Sequence, residues 1–321
     1  MICFGNNRLL MLSFLMVLSI SLSSQSSSNS EKSAVNRDEQ LRYANLDIWG
    51  CRIVKESGLI GGEMKKLYYV GRDPQNECDN PWSTTNIFAK IGVNVAAPCV
   101  FPEKTDDGYC CRMESRIVAV DVIGIRVKVL VSGTLFVGSV VEPVRSVGDP
   151  IRKLNHGVVF SGKPRALQFS YKYSAGKERR RVYYSDKKIN GIDKGEFCLI
   201  LQQRKEDSDN NVFAKRIGGI RLFFNDTGNR WVRDTVVEIY YGDITNKPFY
   251  KPEIMGLIPD VSELYVKNSK NKMVSLKETA WGSKNDTPTH LVMYFTSSYE
   301  GINFTGSPNS VLWVDDIKFI Y

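Results

Sequence analysis

The pair Asp315–Asp316 stands in the middle of NSVLWVDDIKFIY (309–321), an otherwise apolar run. Two neighbouring carboxylates could hold a cation or act as acid and base on a glycosidic bond. The second chemistry needs carboxyl groups about 5–9.5 Å apart across one sugar. Adjacent strand residues point to opposite faces, so these two do not form such a pair. By strict alternation Asp315 shares an inward side with Val311, Trp313, Ile317, Phe319 and Tyr321, and Asp316 shares the outer side with Lys318. An inward carboxylate requires a partner. Backbone N–H groups or an arginine would serve. A structural Ca²⁺, which takes several oxygen ligands, is the alternative and makes Asp315 and Asp316 candidate metal residues. Glu114, Asp121, Asp234 and Glu238 lie on strand-like runs without catalytic spacing.

Other chemistry is thinly supplied. The chain has two histidines, His156 and His290, and no GxSxG turn, so triad catalysis and His-rich metal sites are disfavoured. His156, just before a strand, reads as a structural hydrogen bonder. Sugar binding needs aromatic rings for the apolar faces of pyranoses and polar groups for their hydroxyls. Trp82 (DNPWSTT) and Trp281 (ETAWGSKND) lie in loop-like contexts. Together with Tyr299, Asn86 and Lys172 they form the candidate carbohydrate-binding set. Trp231 and Trp313, inside strands, read as core.

The start of the chain fixes the expected compartment. Arg8, an apolar run from Leu9 to about Leu22 and then small polar residues have the form of a secretory signal peptide, cleaved near Ser24. Cys3 precedes the run, so no lipid-attachment site is read there, and no later segment is apolar enough to span a membrane. A secreted or periplasmic protein is expected. Export permits disulfides among Cys51, Cys78, Cys99, Cys110, Cys111 and Cys198, with the pairing left open. Buried free thiols are the plainer reading. Without a CxxC, a zinc ribbon is improbable.

The formal charge of +8 over 321 residues is mostly dispersed. Its one sharp cluster, GKERRR (176–181), reads as a solvated turn, with contact to an anionic glycan or nucleic acid as the alternative. Nucleic acid is not the expected partner, and the oligomeric state is open.

The elements that must position these residues are strands. RALQFSYKY (165–173), EFCLILQQR (196–204), GIRLFFN (219–225), WVRDTVVEIYY (231–241) and THLVMYFTS (289–297) alternate or run apolar. Residues 117–141 divide at Gly124 and Gly133 into two or three more strands. DPIRKLN (149–155) suits one short helical turn. Residues 242–288, with Pro248, Pro252 and Pro259, read as an excursion carrying one edge strand near 263–268. Many short strands and few helices predict an all-β, jelly-roll β-sandwich over 46–321, after a signal peptide (1–24) and a polar linker (25–45).

GVVFSGKPRALQFSYKY (157–173) and SSYEGINFTGSPNSVLWVDDIKFIY (297–321) resemble the putative carbohydrate metabolism domain family of exported Bacteroidetes proteins. NPWSTTN (80–86), DGYCCRMES (107–115) and SGTLFVGSV (132–140) follow the same pattern in the same order. The resemblance implies a jelly roll similar to carbohydrate-binding modules and a role in glycan handling outside the cytoplasm. It supplies no catalytic residues. The expected function is non-catalytic binding of an oligo- or polysaccharide. The alternatives are a glycoside hydrolase on the same sandwich and a surface module for protein interaction.

Overall fold

The computed structural model describes residues 39–57, 62–72, 80–122, 125–145, 151–259 and 264–321. The expected signal peptide, most of the expected linker, Cys78 and the side chain of Asp121 lie outside the described residues.

Alternating β-branched and aromatic runs, broken by Gly, Asn and Pro, form strands over more than half of the described residues, which hold one short α-helix, at Pro252–Met255. That fraction is more than twice the ordinary one and makes the fold mostly β. Two sheets build the main core. The front sheet has five antiparallel strands in the order Val232–Glu238, Ala166–Ser174, Val311–Ile320, Tyr109–Glu114 and Val100–Lys104. The main sheet, of ten strands, is centred on His290–Thr296, Gly195–Glu206, Val212–Phe224 and Met273–Trp281. Phe169 of the front sheet lies 5.2 Å from the Phe197 ring and 5.1 Å from the Phe295 ring of the main sheet. Leu167, Tyr173, Leu312 and Val314 face Leu199 and Met293 in the same buried cluster. Each such side chain contributes about 1.5–3 kcal/mol on leaving water, so this interface is the principal source of stability.

The main sheet curls. Residues 154–159 pair with Tyr265 at one end and with Leu291 and His290 at the other, so the hydrogen-bonded path returns to its start. Side chains of these strands that turn away from the main core, among them Cys198, Ile200, Val266, Leu276 and Val292, form a second, smaller core. A third, side sheet joins Arg116–Val122, Ile125–Val131, Arg180–Tyr183 and Ser185–Lys188, with Thr305–Gly306 attached.

Two departures from the sequence reading matter. Met273–Trp281 is a nine-residue strand running parallel to Val212–Phe224, inside the stretch read as an excursion with only an edge strand at Tyr265–Lys267. Its inward positions include the buried Glu278 beside Leu276, which spoils the apolar alternation. The closing strand Val311–Ile320 is also not regular. Asp316 has φ +52 and the pairing with Ala166–Ser174 slips between Gln168 and Ser170. This bulge reverses the alternation. Leu312 and Val314 face the core before it, and Ile317 and Phe319 after it. Trp313, expected inward, faces out, where it is half-buried.

Residues 39–46 are built into the fold. Leu46 is fully buried and Ile317 N–H donates to Ala44 O at 3.0 Å. The Gln40 side-chain amide donates to Phe319 O at 2.9 Å and accepts from Phe319 N–H at 2.8 Å. A side chain thereby supplies both hydrogen bonds that a neighbouring strand would make.

Candidate functional site

The expected binding residues do not come together. Trp82 is only 4% exposed and its indole N–H donates to Arg42 O at 2.8 Å. Its ring is core and has no open face for a sugar, which corrects the loop reading. Asn86 is likewise buried. Its amide donates to Tyr68 O and Val100 O and its carbonyl accepts from Cys99 N–H and Val100 N–H, so all its capacity is spent on joining three segments. Trp281 lines a cavity of about 100 Å³ under the Arg216 guanidinium. Tyr299 lies elsewhere, beneath Arg179 and edge-on to Phe223. Of the five, Lys172 alone stands on an open sheet face with other suitable groups.

That face is the outer side of the front sheet. Lys172 is opposite Trp313, Trp313 opposite Arg112, and Arg112 opposite Phe101. Strand alternation therefore brings a cation, an indole, a guanidinium and a phenyl ring into one row across four strands. The Lys172 ammonium lies 4.1 Å from the Trp313 ring centre and 5.6 Å from that of Trp231. Arg233 covers Trp231 at 4.6 Å, and Arg112 and Arg116 approach Phe101 at 5.4 and 5.2 Å. Each is a cation–π contact worth about 0.5–1 kcal/mol at an exposed site. Trp313 N–H donates to Glu103 at 2.8 Å, and Arg112 pairs with both Glu103 and Glu114. Lys172 has no carboxylate partner among the described residues. Trp231, Trp313, Arg112, Phe101 and Glu103 were missed in the sequence. Trp313 was read as core because counting by twos along 311–319 passes over the bulge, and Trp231 because it was placed inside a strand that begins only at Val232.

Beside this row lies the acid that opened the sequence reading. Asp315 is opposite Ser170, one outward position from Trp313, and is 4% exposed. Its carboxylate accepts from Asp316 N–H at 3.0 Å. Burial, and then the charges of Asp316, Asp107 and Asp47, push its carboxyl up to about 7. Asp316, exposed, is also raised by burial and by Asp107 and Asp47. Ser170 faces an irregularity on each side, because Asp234 opposite it has φ +52 as Asp316 does. Aspartate tolerates this left-handed backbone better than most residues, which accounts for its presence at both bulges. Among the described residues no group of three acids, histidines or cysteines is arranged to hold a metal ion.

The other concave features suit sugar less well. A cavity of about 240 Å³ lies between the side and main sheets and is walled mainly by aliphatic residues such as Ile87, Val95, Val118, Val129 and Val131. At its edge Glu196 is held by Arg221 and the Tyr294 hydroxyl at 2.6 and 2.7 Å. Burial raises the Glu196 carboxyl. The other buried glutamate of that face, Glu278, pairs with Arg216 and Gln202. Glu278 lies opposite Ala214, and Ala214 opposite Arg204. Eight residues of strand separate Arg204 from Glu196, about 26 Å at 3.3 Å per residue, too far for joint action on one glycosidic bond. His156 Nδ1–H donates to Tyr265 O at 3.3 Å, and burial lowers its ring to about 4, in keeping with a structural role. Cys99, Cys110, Cys111 and Cys198 are buried free thiols and Cys51 an exposed one.

The model of the putative carbohydrate metabolism domain family matches residues 60–220. This chain belongs to that family. The matched span holds the Lys172 strand and the Arg112 and Phe101 strands of the row. Among solved structures, the chain resembles that of a putative glycoside hydrolase from Bacteroides thetaiotaomicron. The TM-score is 0.52 and the identity 18%, over 89% of this chain and 72% of that one. At this identity the likeness is one of fold. A second putative glycoside hydrolase, from Bacteroides vulgatus, matches at TM-score 0.41 and 14% identity over 86% of this chain and 96% of that one. No curated protein matches the chain. Among the described residues no helix is long and apolar enough to cross a membrane.

Proposed function

We propose that this member of the carbohydrate metabolism domain family binds an oligo- or polysaccharide on the outer face of its front sheet, as an exported, jelly-roll-type sandwich. The observation that carries the reading is the row Lys172–Trp313–Arg112–Phe101 flanked by Trp231. Half-buried rings supply apolar faces for pyranose C–H groups. The Lys172 ammonium, held by rings and not by a carboxylate, keeps its N–H donors for sugar hydroxyls. Glu103 and Arg112 add an acceptor and donors alongside. Trp313→Ala and Lys172→Gln, on a face outside the main core, are expected to weaken binding to glycans at least tenfold while leaving the melting temperature within about 2–4 °C. A folded protein that binds nothing on a glycan array, or a Trp313→Ala variant that binds as well as the parent, would overturn the proposal.

Cleavage of the bound glycan is the second reading, and Asp315 is the observation in its favour. A carboxyl near 7 keeps its proton on about half of the molecules at neutral pH and can protonate a leaving oxygen, with a neighbouring acid in the opposite role. The likeness in fold to a protein described as a putative glycoside hydrolase points the same way. Release of reducing ends from mixed polysaccharides, lost in Asp315→Asn with binding retained, is the expected result on this reading. Binding without release leaves the first reading alone.

A further inference from the structure

The basic cluster at GKERRR is not a loose turn. Arg180–Tyr183 and Ser185–Lys188 form a tight hairpin at the edge of the side sheet, a different sheet from the one that carries the row. Residues 177–188 hold six basic and two acidic side chains, a net +4 out of the chain's formal +8. Part of that charge is spent internally. Glu178 pairs with Arg180 and Lys188, and Asp186 with Arg180. Arg179 is held by Glu300. Arg181 and Lys187 are different. They are directly opposite each other on one face, both exposed, and neither has an acidic partner among the described residues. Like charges in that position repel, and nothing within the fold relieves them.

The tip of the same hairpin carries an independent oddity. Tyr184 connects the strands with φ +57 and is 55% exposed. A bulky residue in the left-handed region is an outlier where glycine or asparagine would fit without strain, and such outliers gather at ligand sites. The Tyr184 ring meets Tyr183 edge-on at 4.7 Å, and Tyr183 stacks on Phe304 at 4.5 Å, so the tip is an aromatic tier rather than a lone ring.

We infer that this hairpin is a docking site for an acidic polysaccharide, in which Arg181 and Lys187 pair with carboxylate or sulfate groups and Tyr184 stacks on a sugar ring. The Arg181 fork takes such anions in bidentate fashion, and Lys187 acts as a point charge beside it. The inference rests on the reading that the chain handles carbohydrate but uses a second face, so that one polymer could be held at the hairpin and recognised at Trp313.

The test uses the folded full chain with polygalacturonate, dextran sulfate, neutral dextran and a single-stranded oligonucleotide of matched charge, at low and high salt. Binding to the two acidic polysaccharides and not to neutral dextran is expected, weakening steeply with salt. The double variant Arg181→Gln/Lys187→Gln should lose at least tenfold and flatten the salt dependence. Tyr184→Gly, which suits the backbone of the tip, should lose several-fold without losing stability. Unaltered polyanion affinity in the hairpin variants, or equal affinity for the oligonucleotide, overturns the inference. Failure of every glycan, neutral or acidic, overturns the carbohydrate reading with it. Neutral-glycan binding that depends on Trp313, without polygalacturonate or dextran sulfate binding, removes the hairpin site alone.

Discussion

Asp315 is where residue-scale chemistry is most concentrated. Its carboxyl accepts a hydrogen bond from the next residue's backbone N–H and has three acids nearby. The protonated form is therefore favoured by the fold. Between about pH 4 and 7 the folded state holds a proton that the unfolded chain has released. The stability this contributes is complete at low pH and lost as the pH rises through about 7. Asp315→Asn cannot ionise and escapes that loss. It is expected to be more stable than the parent at pH 8, by about 2–4 kcal/mol, and close to it at pH 4. Urea midpoints at the two values check this, and a difference independent of pH would contradict it. Retention of an ionisable group that lowers stability at neutral pH is what a working acid would require. Asp316 has a separate task, since its side chain is exposed and its backbone makes the bulge.

At the scale of elements, the strands were largely legible and their faces were not. Runs such as RALQFSYKY and EFCLILQQR became Ala166–Ser174 and Gly195–Glu206, and 117–141 divided near Gly124 and Gly133 into three strands. Periodicity is a local property and survives without knowledge of the partner strand. Which side of 311–320 is inward depends on one residue's φ, and no local pattern marks it. The candidate site inherits that limit. Lys172 was named as a candidate and stands on an outer face, whereas Trp313 and Trp231 were sent to the core and Trp82 to a surface it does not occupy. Met273–Trp281 was missed because a buried Glu–Arg pair looks like exposure in a one-dimensional pattern. The Gln40 rung tests how much a single side chain can do for a strand. Gln40→Glu keeps the acceptor for Phe319 N–H and removes the donor to Phe319 O. A loss of about 1 kcal/mol is expected, read as a lower melting temperature. A variant as stable as the parent would show that water replaces the amide freely.

On the scale of the whole molecule, four thiols report on one cooperative structure. Burial pushes Cys99 and Cys110 up to about 12 and Cys198 to about 11, and raises Cys111 as well. Cys99 and Cys111 lie in the main core, and Cys198 in the second. If the two cores unfold together, all four should become reactive toward a thiol reagent at one urea concentration, with Cys51 reactive before it. Earlier reaction of Cys198 would mean that the curl of the main sheet opens on its own.

The pairing of Gln40 with Phe319 joins residues 279 apart in the chain, and the Tyr321 hydroxyl reaches Glu39 O across 282. The closing strand also occupies the middle of the front sheet, between Ala166–Ser174 and Tyr109–Glu114. During synthesis, the earlier strands must wait with a gap between them, their inner faces wet, until residues 311–320 arrive. Contacts of such long range slow folding, and the interval exposes unpaired strand edges. The front sheet is thus completed only when the strand Val311–Ile320 arrives. Any route that carries the chain unfolded to its destination would have that whole interval in which to act.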